Sequence, residues 1–230
     1  ADSPYQSCSV FAGNPYFIDL DLLARDGLLR RKDYAFLQWG GDPSRVDYGT
    51  LYERRFAVLR KAYANFLKRR PLPGYETPYS DDWYRFQFLS ADWLPDYCLY
   101  MAIKEDNGMI DWQQWPRELR RRDPAALARF RADHAREIEF WAFVQYEFYR
   151  QWEALHNYAA SKGVSIMGDI PIYVAPDSAD AWAGPELFET DEDGRPRRVA
   201  GCPPDYFAVD GQLWGNPIYD WDYHKKTGYA

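Results

Sequence analysis

The chain contains 230 residues, of which 47% are hydrophobic and 18% aromatic, a composition typical of a globular rather than a disordered protein. Asp and Glu outnumber Lys and Arg by 35 to 28, and the net charge of −7 argues against a nucleic-acid-binding protein, whose surface normally carries a basic field. No apolar run approaches the ~18 residues that cross a membrane, and the first residues lack the pattern of a signal peptide.

The cysteines and aromatic residues narrow the class of protein further. Cys8, Cys98 and Cys202 are far apart and form neither a zinc-binding pair nor a disulfide framework, so we expect a reducing, cytoplasmic setting. The 10 Trp, 19 Tyr and 13 Phe leave two interpretations open. They fill an aromatic-rich core, or they bind sugars or other flat ligands.

The N-terminal half is predicted to be mainly helical. Residues 1–20 are expected to form a loop and then an extended run. Apolar residues three and four positions apart predict a helix over residues 48–69. Residues 81–105 predict two helices broken at Pro95.

The strongest helical pattern lies in the C-terminal half. It begins at Asp123 or Pro124 and continues to Ser161, with an apolar stripe at intervals of three or four residues. Gly163 is a typical helix end. Residues 164–167, Val-Ser-Ile-Met, then predict a buried strand.

An acidic residue, Asp169, follows this predicted strand, and residues 170–174 form a second apolar run. A helix leading through a tight turn into a strand is half of a βα repeat, which fits either a barrel or a doubly wound sheet. Ligands gather at the C-terminal strand ends in both folds. Asp169 therefore either accepts hydrogen bonds from sugar hydroxyls or caps the backbone after the strand.

Several common functional motifs are missing. Arg120, Arg121 and Arg122 form a basic run, but in so acidic a chain a solvated helix face is the better interpretation than a nucleic-acid site. The three histidines lack metal-ligand spacing. No dinucleotide-binding, phosphate-binding or nucleophile-elbow motif occurs.

The densest cluster of candidate functional residues spans residues 201–219, which are too rich in Gly and Pro for a helix and too long for a tight turn. Long ordered loops in compact domains are usually functional. Aromatic rings cover the apolar face of a sugar, while Asp, Gln and Asn side chains bond its hydroxyls. The alternative is a loop whose aromatic residues only pack against one another.

Five stretches in chain order resemble a known family. They are residues 3–7 (Ser-Pro-Tyr-Gln-Ser) with 11–15, 143–146 with 151–152, 168–175 (Gly-Asp-Ile-Pro-Ile-Tyr-Val-Ala), 177–182, and 203–207 (Pro-Pro-Asp-Tyr-Phe) with 211–217 (Gly-Gln-Leu-Trp-Gly-Asn-Pro). In these stretches the sequence resembles the 4-α-glucanotransferases, also called amylomaltases or disproportionating enzymes, of glycoside hydrolase family 77. The similarity covers essentially the whole chain, and its last stretch is the most specific.

This resemblance implies an α/β fold that is part of a (β/α)8 TIM barrel, incomplete in this chain, with a large helical insertion subdomain. Residues 1–20 are then a barrel-mouth loop and short strand, residues 21–122 the helical insertion subdomain, and residues 123–230 a barrel βα segment with the long aromatic active-site loop. Neither a cofactor nor a metal is implied.

The resemblance also implies an activity. Segments of an α-1,4-glucan are transferred between maltooligosaccharides by a retaining mechanism, in which a nucleophilic carboxylate and an acid/base carboxyl stand ~5–5.5 Å apart. The expected partner is an α-1,4-glucan or maltooligosaccharide substrate, and neither nucleic acid nor membrane.

Eight residues are implied to bind the glucan. Ser3 and Tyr5 lie near the donor sugar, and Asp169 contacts it at the barrel mouth. The others belong to a mobile loop over the cleft (Asp205, Tyr206 and Phe207) or line the acceptor side (Gln212 and Trp214).

The family's nucleophile motif, Arg-x-Asp-His, is not found in this chain. Asp47 follows Arg45 at the right spacing but precedes Tyr48 and a predicted helix, so it is interpreted as a helix N-cap. We therefore expect the catalytic carboxylates to lie outside this chain, which is then an internal piece of a longer enzyme and inactive by itself. Two other functions stay open: a non-catalytic α-glucan-binding module, and a helical interaction module built on residues 48–161.

Overall fold

A computed structural model describes residues 5–42, 44–69 and 78–229, which are mostly helical with one two-stranded antiparallel sheet. The elements are α1 (Leu20–Arg25), α2 (Tyr48–Arg69), α3 (Pro78–Leu89), α4 (Leu94–Asp106), α5 (Arg117–Arg120), α6 (Pro124–Asp133), α7 (Ala135–Ser161), α8 (Ala179–Ala183), β1 (Val199–Cys202), β2 (Gln212–Pro217) and α9 (Trp221–Thr227). Within these ranges, no helix has both the length and the apolar character needed to cross a bilayer.

Contacts group the chain into two compact units. The first draws on Ala1–Ala12, Pro95–Ile138 and Gly168–Ala230, and the second on Gly13–Leu94 and Glu139–Met167. These groupings follow packing rather than chain order. The three-part division expected from the sequence concerns a barrel and its insertion, and it stays a prediction.

Aromatic side chains form the core of the second unit. The ring of Phe66 on α2 lies 5.0 Å from Phe143 on α7, and Tyr63 lies 5.5 Å from the same ring. Trp83 on α3 meets Tyr146 edge-on at 5.4 Å. Offset and edge-on pairs of this kind add to the stabilisation that apolar burial provides.

Helix α2 has the bounds that its apolar spacing predicts, Tyr48–Arg69. Asp47 caps it, because one carboxylate oxygen accepts the backbone N–H of Thr50 at 2.9 Å and the other accepts the Thr50 hydroxyl at 2.8 Å. These hydrogen bonds lower the pKa of Asp47. The interpretation of Asp47 as an N-cap is confirmed.

The first unit has an aromatic core of its own. The Tyr100 ring lies 5.2 Å from Trp115 and 5.9 Å from Trp182, and the two indoles are 5.8 Å apart. All three side chains are buried. The aromatic-core interpretation therefore holds for these residues, and a sugar-binding role is left to the exposed aromatic residues described below.

The long helix predicted to end at Ser161 is two helices. Helix α6 ends at Asp133 and α7 begins at Ala135, with His134 between them at φ −117° and ψ 30°. The His134 ring stacks on Phe130 at 4.0 Å. Neither Gly nor Pro marks this interruption, so the apolar pattern could not reveal it. The predicted end is confirmed, since Gly163 has φ +70°.

The buried strand predicted over residues 164–167 is wrong. The structure gives these residues no strand, and Val164 and Met167 are 58% and 97% exposed. Ile170 and Ile172, in the next apolar run, are 84% and 74% exposed. A buried parallel strand needs hydrogen-bonded neighbours, and the described part of the chain places none beside this segment.

Two smaller predictions are refined. Residues 81–105 do contain two helices, but the break lies at residues 90–93, and Pro95 sits in the first turn of α4, where its missing N–H removes no helical hydrogen bond. Pro15–Phe17 forms a 3-10 turn where an extended run was expected. Asn14 stabilises the turn by accepting the Tyr16 N–H at 3.0 Å.

Candidate functional site

Two predicted site residues from distant parts of the chain meet in the first unit. The Tyr5 hydroxyl donates to Asp169 Oδ2 at 2.7 Å, across 164 positions of sequence. Tyr5 is 50% exposed and Asp169 is exposed, so a ligand can reach both side chains. Ser3, which was expected beside them, lies outside the described residues.

The electrostatics of this pair fix which group donates. The hydrogen bond to the Asp169 carboxylate, together with its negative charge, raises the pKa of Tyr5 above its ordinary value. Tyr5 therefore stays a protonated donor at neutral pH, and the Asp169 carboxylate is held in one orientation. A fixed carboxylate is suited to accept hydrogen bonds from sugar hydroxyls.

The aromatic loop is carried by a β-hairpin. Strand β1 pairs with β2 in antiparallel register, with Cys202 opposite Gln212. The long loop predicted over residues 201–219 is partly strand, because β1 and β2 occupy its two sides. The loop itself is the connection at residues 203–211. Gly211 is required there, because its φ is +72° and a Cβ would lie 2.6 Å from the Cys202 carbonyl oxygen.

Asp205 organises the tip of this hairpin. Its Oδ1 accepts the backbone N–H groups of Phe207 at 2.9 Å and Ala208 at 2.7 Å, and its own N–H donates to the Ala208 carbonyl at 3.0 Å. The Tyr206 and Phe207 rings pack edge to face at 5.5 Å and are 95% and 90% exposed. The turn thus holds two large aromatic rings in solvent, where apolar surface is available to a ligand.

Gln212 and Trp214 share one face of β2, since side chains two positions apart in a strand point the same way. The Trp214 indole N–H donates to Gln212 Oε1 at 2.9 Å. This bond uses the amide oxygen of Gln212, so its NH₂ group is the part that can donate to a ligand. Both side chains are exposed.

The hairpin is tied to the segment that follows Asp169. The Tyr173 and Trp214 rings lie 6.4 Å apart, and the Asn216 side-chain NH₂ donates to the Val174 carbonyl at 2.8 Å in a buried bond. The residues predicted for the donor and acceptor sides of the site therefore belong to connected segments of one compact unit.

The structure also shows an ionic cluster that sequence reasoning did not assign. Asp177 Oδ2 lies 2.5 Å from the buried Lys104 ammonium, and its Oδ1 accepts the Tyr100 hydroxyl at 2.6 Å. Burial, and then the Asp177 charge, raise the pKa of Tyr100, which therefore remains a donor. The signal in the sequence is Lys104, a charge that directly follows the apolar run at residues 97–103 of α4. The cluster anchors the loop between Asp169 and α8.

A charged cavity of about 840 Å³ lies elsewhere in the same unit, lined by the basic run and by an acidic loop. Arg120 Nη2 lies 3.0 Å from Asp193 Oδ1, and Arg122 Nη2 lies 2.7 Å from Asp96 Oδ1. The Arg122 guanidinium also covers the Trp182 ring at 4.3 Å. The basic run is thus largely neutralised and partly buried, which corrects the expectation of a solvated helix face. We assign no ligand to this cavity.

Among residues 5–42, 44–69 and 78–229, no three His, Cys, Asp or Glu side chains come together as potential ligands. Cys8, Cys98 and Cys202 are all free thiols.

Comparison with known proteins places the chain in a family. A family model described as 4-alpha-glucanotransferase matches residues 1–230. The chain therefore belongs to the 4-α-glucanotransferase family, glycoside hydrolase family 77.

Individual relatives agree with this assignment. The 4-alpha-glucanotransferase of Thermus thermophilus is 46% identical over 229 residues, which are 100% of this chain and 44% of that protein. The one from Clostridium butyricum is 42% identical over 231 residues, or 99% of this chain and 45% of that protein. An amylomaltase from Streptococcus agalactiae, solved in complex with acarbose, matches with a TM-score of 0.91 at 45% identity, covering 98% of this chain and 44% of that chain. The chain thus spans less than half the length of these relatives.

Proposed function

We propose that this chain is part of a 4-α-glucanotransferase that transfers α-1,4-glucan segments between maltooligosaccharides. Because the chain spans 44–45% of the length of its relatives, the activity is proposed for the full-length protein, meaning the complete polypeptide that contains residues 1–230. The observation that carries the proposal is the 2.7 Å bond from Tyr5 to Asp169, made by an exposed pair in a chain of this family.

The proposed reaction is a double displacement with retention of configuration. A carboxylate nucleophile attacks the anomeric carbon of the donor sugar, while a carboxylic acid protonates the departing glycosidic oxygen. The 4-hydroxyl of an acceptor glucan then attacks the β-glucosyl-enzyme, and the second group, now a carboxylate, takes the proton of that hydroxyl. Both catalytic groups are proposed to lie outside residues 1–230.

The proposed task of this chain is to bind and orient the glucan. Asp169, oriented by Tyr5, accepts hydrogen bonds from the hydroxyls of the donor sugar, and Ser3 lies near the same sugar. On the acceptor side, Trp214 offers an apolar ring face and Gln212 an amide donor. Holding both sugars in a fixed geometry lowers the entropic cost of the transfer step.

The hairpin tip is proposed to cover the cleft. Asp205 shapes the turn, and Tyr206 and Phe207 place apolar surface over the bound glucan. A transferase must favour a sugar hydroxyl over water at the second step, and a cover that excludes water serves that purpose.

The exposed apolar segment supports a further part of the proposal, which concerns the fold. In the full-length protein, this chain is proposed to be part of a (β/α)8 barrel, and residues 164–172 are proposed to be covered by parts of the barrel outside this chain. The exposure of Met167, Ile170 and Ile172 supports this, because a contiguous group of large apolar residues is rarely left exposed on a protein surface. The helical residues 21–122 are then an insertion beside the barrel.

Disproportionation of maltotriose tests the proposal. The full-length protein is expected to release glucose and longer maltooligosaccharides, and residues 1–230 alone to release neither. In the full-length protein, Asp169→Asn is expected to lower kcat/KM by about 100-fold and Tyr5→Phe by about 10-fold, because each removes a hydrogen bond to a charged group. Asp92→Asn, an exposed carboxylate of the second unit, serves as the control.

Two results would contradict the proposal. Transfer products from residues 1–230 alone would place the catalytic carboxylates inside this chain. Tryptophan fluorescence measures the binding of maltoheptaose to the full-length protein. Binding without any transfer would instead identify a non-catalytic α-glucan-binding module.

A further inference from the structure

A second, partly buried contact holds the segment that carries Tyr5. Four and five residues after Tyr5, the Ser9 hydroxyl donates to Asp180 Oδ1 at 3.1 Å and the Val10 N–H donates to Asp180 Oδ2 at 3.0 Å. Both oxygens of one carboxylate are thus used by two successive residues of this segment. Ser9 is 3% exposed, so water competes poorly for its bond, whereas the Val10 bond is exposed.

The carboxylate of Asp180 is itself held in place. It belongs to the first turn of α8, whose N-cap Ser178 accepts the Ala181 N–H at 3.2 Å. The N–H of Ala179 donates to the Cys8 carbonyl at 2.7 Å, which adds a backbone bond to the same segment. Just before α8, Asp177 is anchored by Lys104. Asp180 therefore acts from a rigid frame.

Residues 5–10 and 169–180 consequently meet at two points. The outer point is the exposed bond from Tyr5 to Asp169, and the inner point is the partly buried contact at Asp180, beside the Ala179 backbone bond. An exposed hydrogen bond is weakened by competition with water and by the side-chain entropy that it costs. An anchor of several bonds a few residues away reduces that entropic cost, because it limits where the Tyr5 backbone can be.

We propose that Asp180 is a positioning residue of the glucan site: its carboxylate holds residues 9 and 10 so that the Tyr5 hydroxyl is presented to Asp169. The meaning of this arrangement for glucan transfer rests on the proposed function. The placement of Tyr5 by Asp180 does not rest on the proposed function, and it can be measured separately.

That readout is the titration of Tyr5, followed by NMR of the full-length protein labelled with [13Cζ]tyrosine. The Tyr5 resonance is assigned by its loss in Tyr5→Phe. Asp169→Asn sets the titration midpoint without the carboxylate partner. Asp180→Ala is expected to lower the midpoint toward that same value, whereas Asp180→Asn, which keeps an acceptor for the Val10 N–H, is expected to lie between wild type and Asp180→Ala.

Two further variants make this measurement decisive. Asp191→Ala is the matched control, since the Asp191 carboxylate also accepts two backbone N–H groups, from Asp193 and Arg195, each at 2.9 Å in an exposed turn of the same unit. It should leave the Tyr5 midpoint unchanged. Ser9→Ala removes the Ser9 bond to Asp180, together with the bond that the Ser9 hydroxyl accepts from the Phe11 N–H at 3.1 Å, but keeps the Val10 bond, and it replaces Asp180→Ala if that variant does not fold. An unchanged midpoint in both Asp180→Asn and Ser9→Ala would overturn the proposal.

Kinetics then test the consequence for transfer. Asp180→Ala is expected to lower kcat/KM for maltotriose by about 10-fold, and the Tyr5→Phe/Asp180→Ala double variant to lose no more than Tyr5→Phe alone. A merely structural role of Asp180 predicts instead that the two losses multiply, which would contradict the proposal. If the full-length protein transfers no glucan, the proposed function fails, while the Tyr5 titration still decides whether Asp180 positions Tyr5.

Discussion

At the residue scale, the second unit buries a carboxylate on α7, and removing this charge from water costs free energy of folding. Glu147 is fully buried, and one of its oxygens lies 2.8 Å from Arg150 Nη2, which also contacts Asp26. Its Oε1 has no partner among the described residues. Burial raises the pKa of Glu147, although Arg150 opposes this shift. The charge is therefore tolerated only because Arg150 is beside it.

Removing that cation is expected to be expensive. Arg150→Met leaves a buried carboxylate without its counter-charge, and we expect the free energy of unfolding at pH 7 to fall by about 3 kcal/mol. Arg198→Met is the matched control, because it breaks an ion pair with Glu189 in which the arginine side chain is 69% exposed. Its expected cost is much smaller, because water screens an exposed ion pair. Urea titration measures both values.

The pH dependence of this cost has a definite sign. A carboxyl whose pKa is raised on folding binds its proton more tightly in the folded state, so stability falls as pH rises above the ordinary glutamate range toward the folded pKa. Arg150→Met raises that pKa further. The difference between variant and wild type should thus be small near pH 4 and grow toward pH 7. An equal difference at both pH values would contradict this account of Glu147.

At the scale of elements, α7 holds the N-terminal segment with two glutamine side chains. Gln145 Oε1 accepts the Gly13 N–H at 2.8 Å while its NH₂ donates to the Gly13 carbonyl at 3.0 Å. Gln151 repeats the arrangement with the backbone of Asp19, at 2.7 and 3.2 Å. Gly13 has no substitute, since a Cβ would lie 1.9 Å from the Phe148 ring.

The pairs of backbone hydrogen bonds made by Gln145 and by Gln151, here called the two glutamine clamps, differ in burial. Their loss should therefore lower the free energy of unfolding by different amounts. Gln145 is fully buried, and Gln145→Leu is expected to destabilise the protein by about 2 kcal/mol because two backbone groups lose their partner away from water. Gln151→Leu should cost about 1 kcal/mol or less, since water replaces its exposed bonds. The midpoint of urea unfolding checks both variants, and equal costs would show that burial does not decide the strength of the clamps.

The elements show which features local sequence patterns specify. The bounds of α2 follow from apolar spacing and the Asp47 cap, which are local signals. The break at His134 and the pairing of β1 with β2 depend on packing and register, which no short pattern encodes. The apolar run at residues 164–167 predicts a strand correctly only where neighbouring strands are present, and the described residues provide none.

The candidate site divides in the same way. The eight candidate glucan-binding residues are predicted through family resemblance, which retains long-range information that spacing alone lacks. Asp177 and Asp180 lay inside a quoted stretch, yet their roles were missed. Asp180 meets Ser9 across 171 positions and Asp177 meets Lys104 across 73. Only a folded structure brings such partners together.

For the whole molecule, the exposed apolar residues after α7 are the feature that a complete barrel must bury. If residues 164–172 are covered in the full-length barrel, as proposed, their amides should exchange with solvent at least about 1,000-fold more slowly than unprotected amides. Hydrogen exchange followed by mass spectrometry measures this. Residues 40–42, which lie outside the helices and strands and include the exposed Gly41 and Asp42, are the internal control and should exchange rapidly. Equally rapid exchange in both segments would contradict the proposed covering of residues 164–172.

The two glutamine clamps also constrain the order of events during synthesis. Each joins residues 132 positions apart in the chain. A ribosome that adds about 5–20 residues per second needs roughly 7–26 s to make that stretch. The segment around Gly13 and Asp19 therefore leaves the ribosome long before α7 exists to receive it. Until then, its backbone groups must be hydrogen-bonded to water or bound by a chaperone. The N-terminal segment is therefore among the last parts of the second unit to adopt its final structure.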